Sequence, residues 1–162
     1  MAGYPARFQS GMDLEHDPRT VRTEDQSLAR GAQTRSAAPK DYFIERNGVR
    51  YAGVHLIIDL LGAERLDDLD HVEATLRRCV QVAGATILHI HLHHFSPFGG
   101  VSGVVVLAES HITIHTWPER DYAALDIFMC GDTEPHLAVE VLREAFTPKR
   151  LVVSEHLRGK GA

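Results

Sequence analysis

Apolar and polar positions follow no sustained period before residue 40 and a clear succession of periods after it. Residues 1–40, rich in Arg, Asp, Gln, Ser, Thr and Gly, read as a disordered or loosely docked arm, because such a stretch buries too little apolar surface to offset its ordering entropy. The pattern changes at Tyr42-Phe43-Ile44, which assigns 41–162 to the folded domain. After an Asn47-Gly48 turn signal, residues 54–61 form a mostly apolar run of strand length, the mark of a buried strand. Leu66, Leu69, Val72, Leu76, Cys79, Val80 and Ala83 then recur by threes and fours, which predicts an amphipathic helix with Asp67 and Asp68 in its first turn and Gly84 just past its end. Cys79 belongs to the buried stripe of that helix, as a small core residue without chemistry.

Three extended runs follow at 85–95, 101–108 and 111–117, joined by Pro97-Phe98-Gly99-Gly100 and by Glu109-Ser110, as in a meander of antiparallel strands. Residues 122–129 read as a further strand, and 150–155 as the last. Between them lies a second helix that Thr133 can cap and Pro148 stops. This order predicts the α+β class: a two-layer α/β sandwich with one largely antiparallel sheet and both helices on one face. The other face then needs a cover, for which a second protomer is the simplest candidate.

Composition narrows the class further. With 162 residues, 44% apolar and 24% charged, the chain suits one soluble globular domain. Its apolar stretches fall far short of the roughly 20 residues that span a bilayer, and the N-terminus lacks the apolar core of a secretory signal, so no membrane association and a cytoplasmic location are expected. The net charge is −5, and the acidity sits beyond residue 50, against a nucleic-acid footprint. Cys79 and Cys130 stand in unlike contexts without CxxC spacing, so no disulfide framework is indicated.

Two groups of residues carry possible chemistry. His89, His91 and His93 alternate along one predicted strand and so share a face, an arrangement that metal sites use and that keeps a His-rich metal-binding module open as a reading. The residues that follow, Phe95, Ser96, Pro97 and Phe98, supply no carboxylate, and no metal ligand is assigned. The second group lies on the neighbouring strands: the hydroxyls of Ser102 and Ser110, the imidazole of His115 and the thiol of Cys130, which together offer a nucleophile, a base and a proton donor.

The run Gly-Val-Ser-Gly-Val-Val-Val at 100–106, then Glu-Ser-His-Ile-Thr-Ile-His-Thr-Trp-Pro-Glu at 109–119, then Ala-Leu-Asp-Ile-Phe-Met-Cys-Gly at 124–131, resembles the prokaryotic S-adenosylmethionine decarboxylase family. The likeness extends from Gly53-Val54-His55-Leu56 to Glu155-His156-Leu157-Arg158-Gly159 and leaves residues 1 to 45 or so unmatched. It implies a proenzyme that cuts itself between Glu109 and Ser110 and turns Ser110 into a covalent pyruvoyl group, the ketone that holds the substrate amine as a Schiff base and accepts electrons as carbon dioxide leaves. It also implies help in processing from Ser102 and from His115, as base, and a proton from Cys130 to the product carbanion. Imidazole titrates near working pH, and thiols ordinarily carry their proton there. Phe95 and Glu119 are the implied substrate contacts, and an aromatic face suits a sulfonium cation. The implied assembly is a homodimer of cleaved protomers, two α and two β chains.

The product would be decarboxylated S-adenosylmethionine, for spermidine synthesis. Because pocket shape selects the amino acid, and the 97–100 loop and the His-rich strand depart from the family pattern, a pyruvoyl-dependent arginine or ornithine decarboxylase is the enzymatic alternative.

Overall fold

The computed structural model describes residues 42–97 and 99–162. The expected arm at 1–40 lies outside the described residues. A small hairpin opens the described chain, pairing β1 (Ile44–Arg46) with β2 (Val49–Tyr51) around the Asn47-Gly48 turn. Both turn residues have positive φ, 52° and 73°, the geometry that favours this dipeptide in tight hairpins.

The main sheet contains β3 (Gly53–Leu61), β4 (Ile87–His94), β5 (Val101–Leu107), β6 (Ser110–Trp117), β7 (Tyr122–Cys130) and β8 (Arg150–Arg158). Its six strands run in the order β4-β5-β6-β7-β3-β8, and every neighbouring pair is antiparallel. Helices α1 (Leu69–Val82) and α2 (Leu137–Phe146) pack against each other and cover one face. This is the expected two-layer sandwich.

Alternation decides which residues face the helices. Leu56, Ile58 and Leu60 of β3, Ile112 and Ile114 of β6, and Leu125 and Ile127 of β7 are fully buried together with Val72, Leu76, Leu142 and Phe146 of the helices. Cys79 lies in this core as expected, and burial pushes its thiol up to about 12. Leu76→Ala should lower the unfolding free energy by about 2–5 kcal/mol, the usual cost of emptying a fully packed leucine site, as a urea titration would record.

Two helix boundaries differ from the pattern. Asp67 and Asp68 precede α1 rather than occupying its first turn: Asp68 is the N-cap and accepts from the His71 amide at 3.0 Å. Apolar spacing could not place this boundary, since Leu66 is buried before the helix begins. Thr133 does not cap α2. Its hydroxyl donates to the Cys130 carbonyl at 3.0 Å, and the helix starts later, at Leu137. At the other end α2 stops at Phe146, with Thr147 left-handed and Pro148 next in sequence, as expected.

Candidate active site

Strands β5 and β6 meet in a hairpin whose tip is Ala108-Glu109, so that Ser110 is the first residue of β6 rather than part of the loop. Tight hairpins need positive φ somewhere to match strand twist, and Gly or Asn usually provides it. Here the positive φ falls on Ser110, at 146°, while Ala108 and Glu109 keep negative values. For a residue with a Cβ this conformation stores about 1–3 kcal/mol and persists only where the surroundings enforce it.

Cys130, the last residue of β7, supplies part of that enforcement. Its backbone N–H and its Sγ both donate to the carbonyl oxygen of Glu109, each at 3.0 Å. A carbonyl held by two donors beside a serine in a strained conformation is poised to become an oxyanion when the serine hydroxyl attacks it. Opposite Cys130 in the register stands Gly53. A Cβ at Gly53 would meet the Met129 carbonyl at 2.6 Å and the Phe128 ring at 2.7 Å, so only glycine lets the two strands close here.

At the other end of β6, Ser102 and His115 are direct cross-strand partners and share a hydrogen bond of 2.8 Å between Oγ and Nδ1. His93 stands beside Ser102 in the register and packs edge-on against Phe95, with ring centroids 4.5 Å apart. Trp117 stacks on Tyr122 at 5.2 Å, and Glu119 lies in the single 3₁₀ turn that follows, Pro118–Arg120. The Tyr122 hydroxyl donates to Asp59 at 2.6 Å, a bond that, with partial burial, pushes its pKa up to about 12.

The residues singled out in the sequence therefore form two groups. Ser110, Glu109 and Cys130 sit at one end, and Ser102, His115, Phe95 and Glu119 at the other. Five residue steps of extended strand separate Ser110 from His115, a span of about 17 Å. Within one protomer they do not meet.

Between the two groups lies a network that sequence reasoning missed. Arg158 donates to His55 Nδ1 at 3.1 Å, which leaves the proton on Nε2 to be donated to Asp126 at 3.1 Å. Asp126 also accepts from the Thr113 hydroxyl at 3.2 Å. The available signal was the pair of polar residues His55 and Asp59 on one face of the apolar β3 run, but the other members of the His55 network come from three other strands. His89, His91 and His93 share the open face without converging. Among the described residues no group of three or more His, Cys, Asp or Glu side chains could hold a metal ion, and the metal-binding module finds no donor set there.

The sequence profile described as S-adenosylmethionine decarboxylase matches residues 54–159, which includes both groups and the network between them. The chain belongs to this family. Among relatives of the S-adenosylmethionine decarboxylase family, the S-adenosylmethionine decarboxylase proenzyme of Thermomicrobium roseum is 44% identical over 108 residues, covering 66% of this chain and 93% of the relative. The proenzyme of Thermotoga maritima is 46% identical over 111 residues, covering 67% and 85%. The crystal structure of the adenosylmethionine decarboxylase of Aquifex aeolicus is similar with a TM-score of 0.61 at 35% identity, over 67% of this chain and 92% of that one. Members of the S-adenosylmethionine decarboxylase family are pyruvoyl-dependent and make the group from their own serine. The strained Ser110 behind a doubly held carbonyl fits the formation of that group.

Proposed function

We propose that the chain cuts itself between Glu109 and Ser110 and, as a cytoplasmic enzyme, decarboxylates S-adenosylmethionine to supply the aminopropyl donor of spermidine synthesis. The observation that carries the reading is the Glu109 carbonyl held by both donors of Cys130 next to the positive φ of Ser110. Ser110 Oγ attacks the Glu109 carbonyl carbon while the two Cys130 donors take up the charge developing on the oxygen. The C–N bond breaks and the peptide becomes an ester, with the nitrogen of residue 110 freed as an amine. A base then removes the α-proton of residue 110, the ester oxygen leaves with Glu109 as a carboxylate, and hydrolysis of the resulting enamine releases ammonia.

Formed from Ser110 itself, the pyruvoyl group would supply the electron sink for loss of the substrate carboxylate. Cys130 Sγ, beside the same residue, is the acid within reach of the substrate α-carbon. Phe95 offers a ring for the adenine or the sulfonium cation, and Glu119 an acceptor for ribose hydroxyls.

The base is His115, supplied by a second copy of the chain. Two observations and one general distance support this. Ser102 and His115 lie about 17 Å from Ser110 along β6. The open face of the sheet, which carries both residues, also exposes Ile57, Val106, Trp117 and Val152. Packed sheets stand about 10 Å apart, close enough for side chains of one to reach the other. A two-fold axis crossing β6 near its midpoint sets the Ser102–His115 pair of each copy over Ser110 of the other and covers the apolar patch twice. The cleaved assembly is then a homodimer of two α and two β chains.

Mixed dimers test the arrangement. His115→Ala and Ser110→Ala chains should each remain uncut when made alone. Made together in equal amounts they should yield cleavage of about a quarter of all chains, since half the dimers are mixed and each mixed dimer holds one complete site. Complete absence of the fragments in an intact mass spectrum of the mixture would remove the shared site.

A further inference from the structure

We propose that the side chain of Glu109 is a clamp that sets the rate of self-cleavage, its carboxylate holding the scissile turn to the backbone of Thr86. The inference rests on Glu109-Ser110 being the bond that is cut. Thr86 N–H donates to Glu109 Oε2 at 2.9 Å, and the Thr86 carbonyl accepts from the Ala108 amide at 3.0 Å. Thr86 stands just before β4, the strand beside β5, whereas Cys130 ends β7, the strand beside β6. The tip of the β5–β6 hairpin is therefore strapped from both flanks, by Thr86 through the Glu109 side chain and by Cys130 through the Glu109 carbonyl.

Packing does not do this work. The turn borders a cavity of about 360 Å³ lined by Gly84, Ala108, Cys130, Gly131 and Thr133 among others, so its cavity side has room to move. Nor does local sequence do it, because an Ala-Glu tip has no intrinsic preference for a turn that throws positive φ onto the next residue. With the Glu109 carboxylate removed, the peptide between Glu109 and Ser110 can rotate toward the cavity. That rotation relaxes φ of Ser110 and takes the carbonyl off the two Cys130 donors, and the attack loses both its strain and its oxyanion site. Glu109 acts here as a positioning residue, through the carbonyl it carries and not by proton transfer.

The clamp needs an acceptor at the end of the side chain and not a negative charge as such. Glu109→Gln keeps a carbonyl oxygen for the Thr86 amide, and Glu109→Ala does not. Chains made in a short cell-free translation pulse and followed by intact mass would give the cleavage half-time of each. Loss of one charge-assisted bond predicts about a tenfold or greater slowing for Glu109→Ala, with Glu109→Gln closer to the wild type. Hydroxylamine, which cuts esters, should release no fragments from the stalled Glu109→Ala chain, because the block falls before the acyl shift. Wild-type kinetics for Glu109→Ala would overturn the clamp, as would Glu109→Gln stalling as fully as Ala or ester accumulation in Glu109→Ala. Placed on the uncleavable Ser110→Ala background, Glu109→Ala should leave the melting temperature unchanged, and collapse of the fold there would overturn a local role. An uncut wild type would instead sink the underlying assignment of the bond.

Discussion

Ser110→Ala should yield one uncut chain of 162 residues with no decarboxylase activity, while the wild type separates under denaturing conditions into fragments 1–109 and 110–162. The effect is all or none because in the proposed mechanism one hydroxyl serves twice, first as the nucleophile toward Glu109 and then as the leaving oxygen whose departure starts the formation of the ketone. Intact mass spectrometry reads both halves of the expectation, since the second wild-type fragment should lack a free α-amine and take up amine-reactive label only at Lys149 and Lys160. An active protein with the Glu109-Ser110 bond intact would remove the reading altogether. The same spectrum on Ser102→Ala asks a subtler question, whether the hydroxyl bonded to His115 holds the imidazole in place for processing.

Cys130→Ala should divide the two reactions. The substitution deletes the Sγ donor to the Glu109 carbonyl but keeps the backbone N–H donor to the same oxygen. Self-cleavage therefore slows without stopping. Decarboxylation has no such reserve in the proposed mechanism, where the thiol is the acid that returns a proton to the substrate, and a positioned acid is worth about 10²–10⁴-fold in rate. The measurement is turnover of S-adenosylmethionine per cleaved subunit, taken beside the cleaved fraction from mass spectrometry. Equal turnover in mutant and wild type would return Cys130 to a role in processing alone. Cys79→Ala is the natural control: its thiol is fully buried between the helices and the sheet and touches neither group of the site.

Strand alternation and helical spacing made most of the fold legible. The apolar run at 54–61 is β3, and the stripe from Leu69 to Ala83 is the buried side of α1 and its end. What escaped lay in short polar side chains with more than one available bond. Asp68 caps α1 from outside it, and Thr133 turns to the Cys130 carbonyl instead of the helix it precedes. Both bonds reach only three residues along the chain, but each side chain had several such partners, and apolar spacing does not say which one it takes. The site divides in the same way. Sequence brought out Ser102, Ser110, His115 and Cys130, yet strand periodicity fixes only the face of each residue, and it was the register that put Ser102 with His115 and Glu109 with Cys130. The bonds linking Arg158, His55, Asp126 and Thr113 need four strands in one sheet, and no window along the chain holds them.

The strand order carries a consequence for what remains after the proposed cut. A break after Glu109 divides the sheet by ownership: β3, β4 and β5 go with the first fragment, and β6, β7 and β8 with the second. In space these sets are interleaved, because β3 lies between β7 and β8 and β5 pairs with β6. The helices are shared too, with α1 from one fragment packed on α2 from the other. Each piece keeps only one ladder of the main sheet, β4–β5 in the first and β6–β7 in the second, so parting them means tearing the other three ladders and one helix interface at once. Before the cut, folding is a unimolecular event. Afterwards the same native structure is a complex of two polypeptides, and its return from the unfolded state becomes a second-order encounter that dilution opposes. Self-cleavage thus makes the fold a one-way construction, assembled as a single chain and held afterwards by interleaved strands.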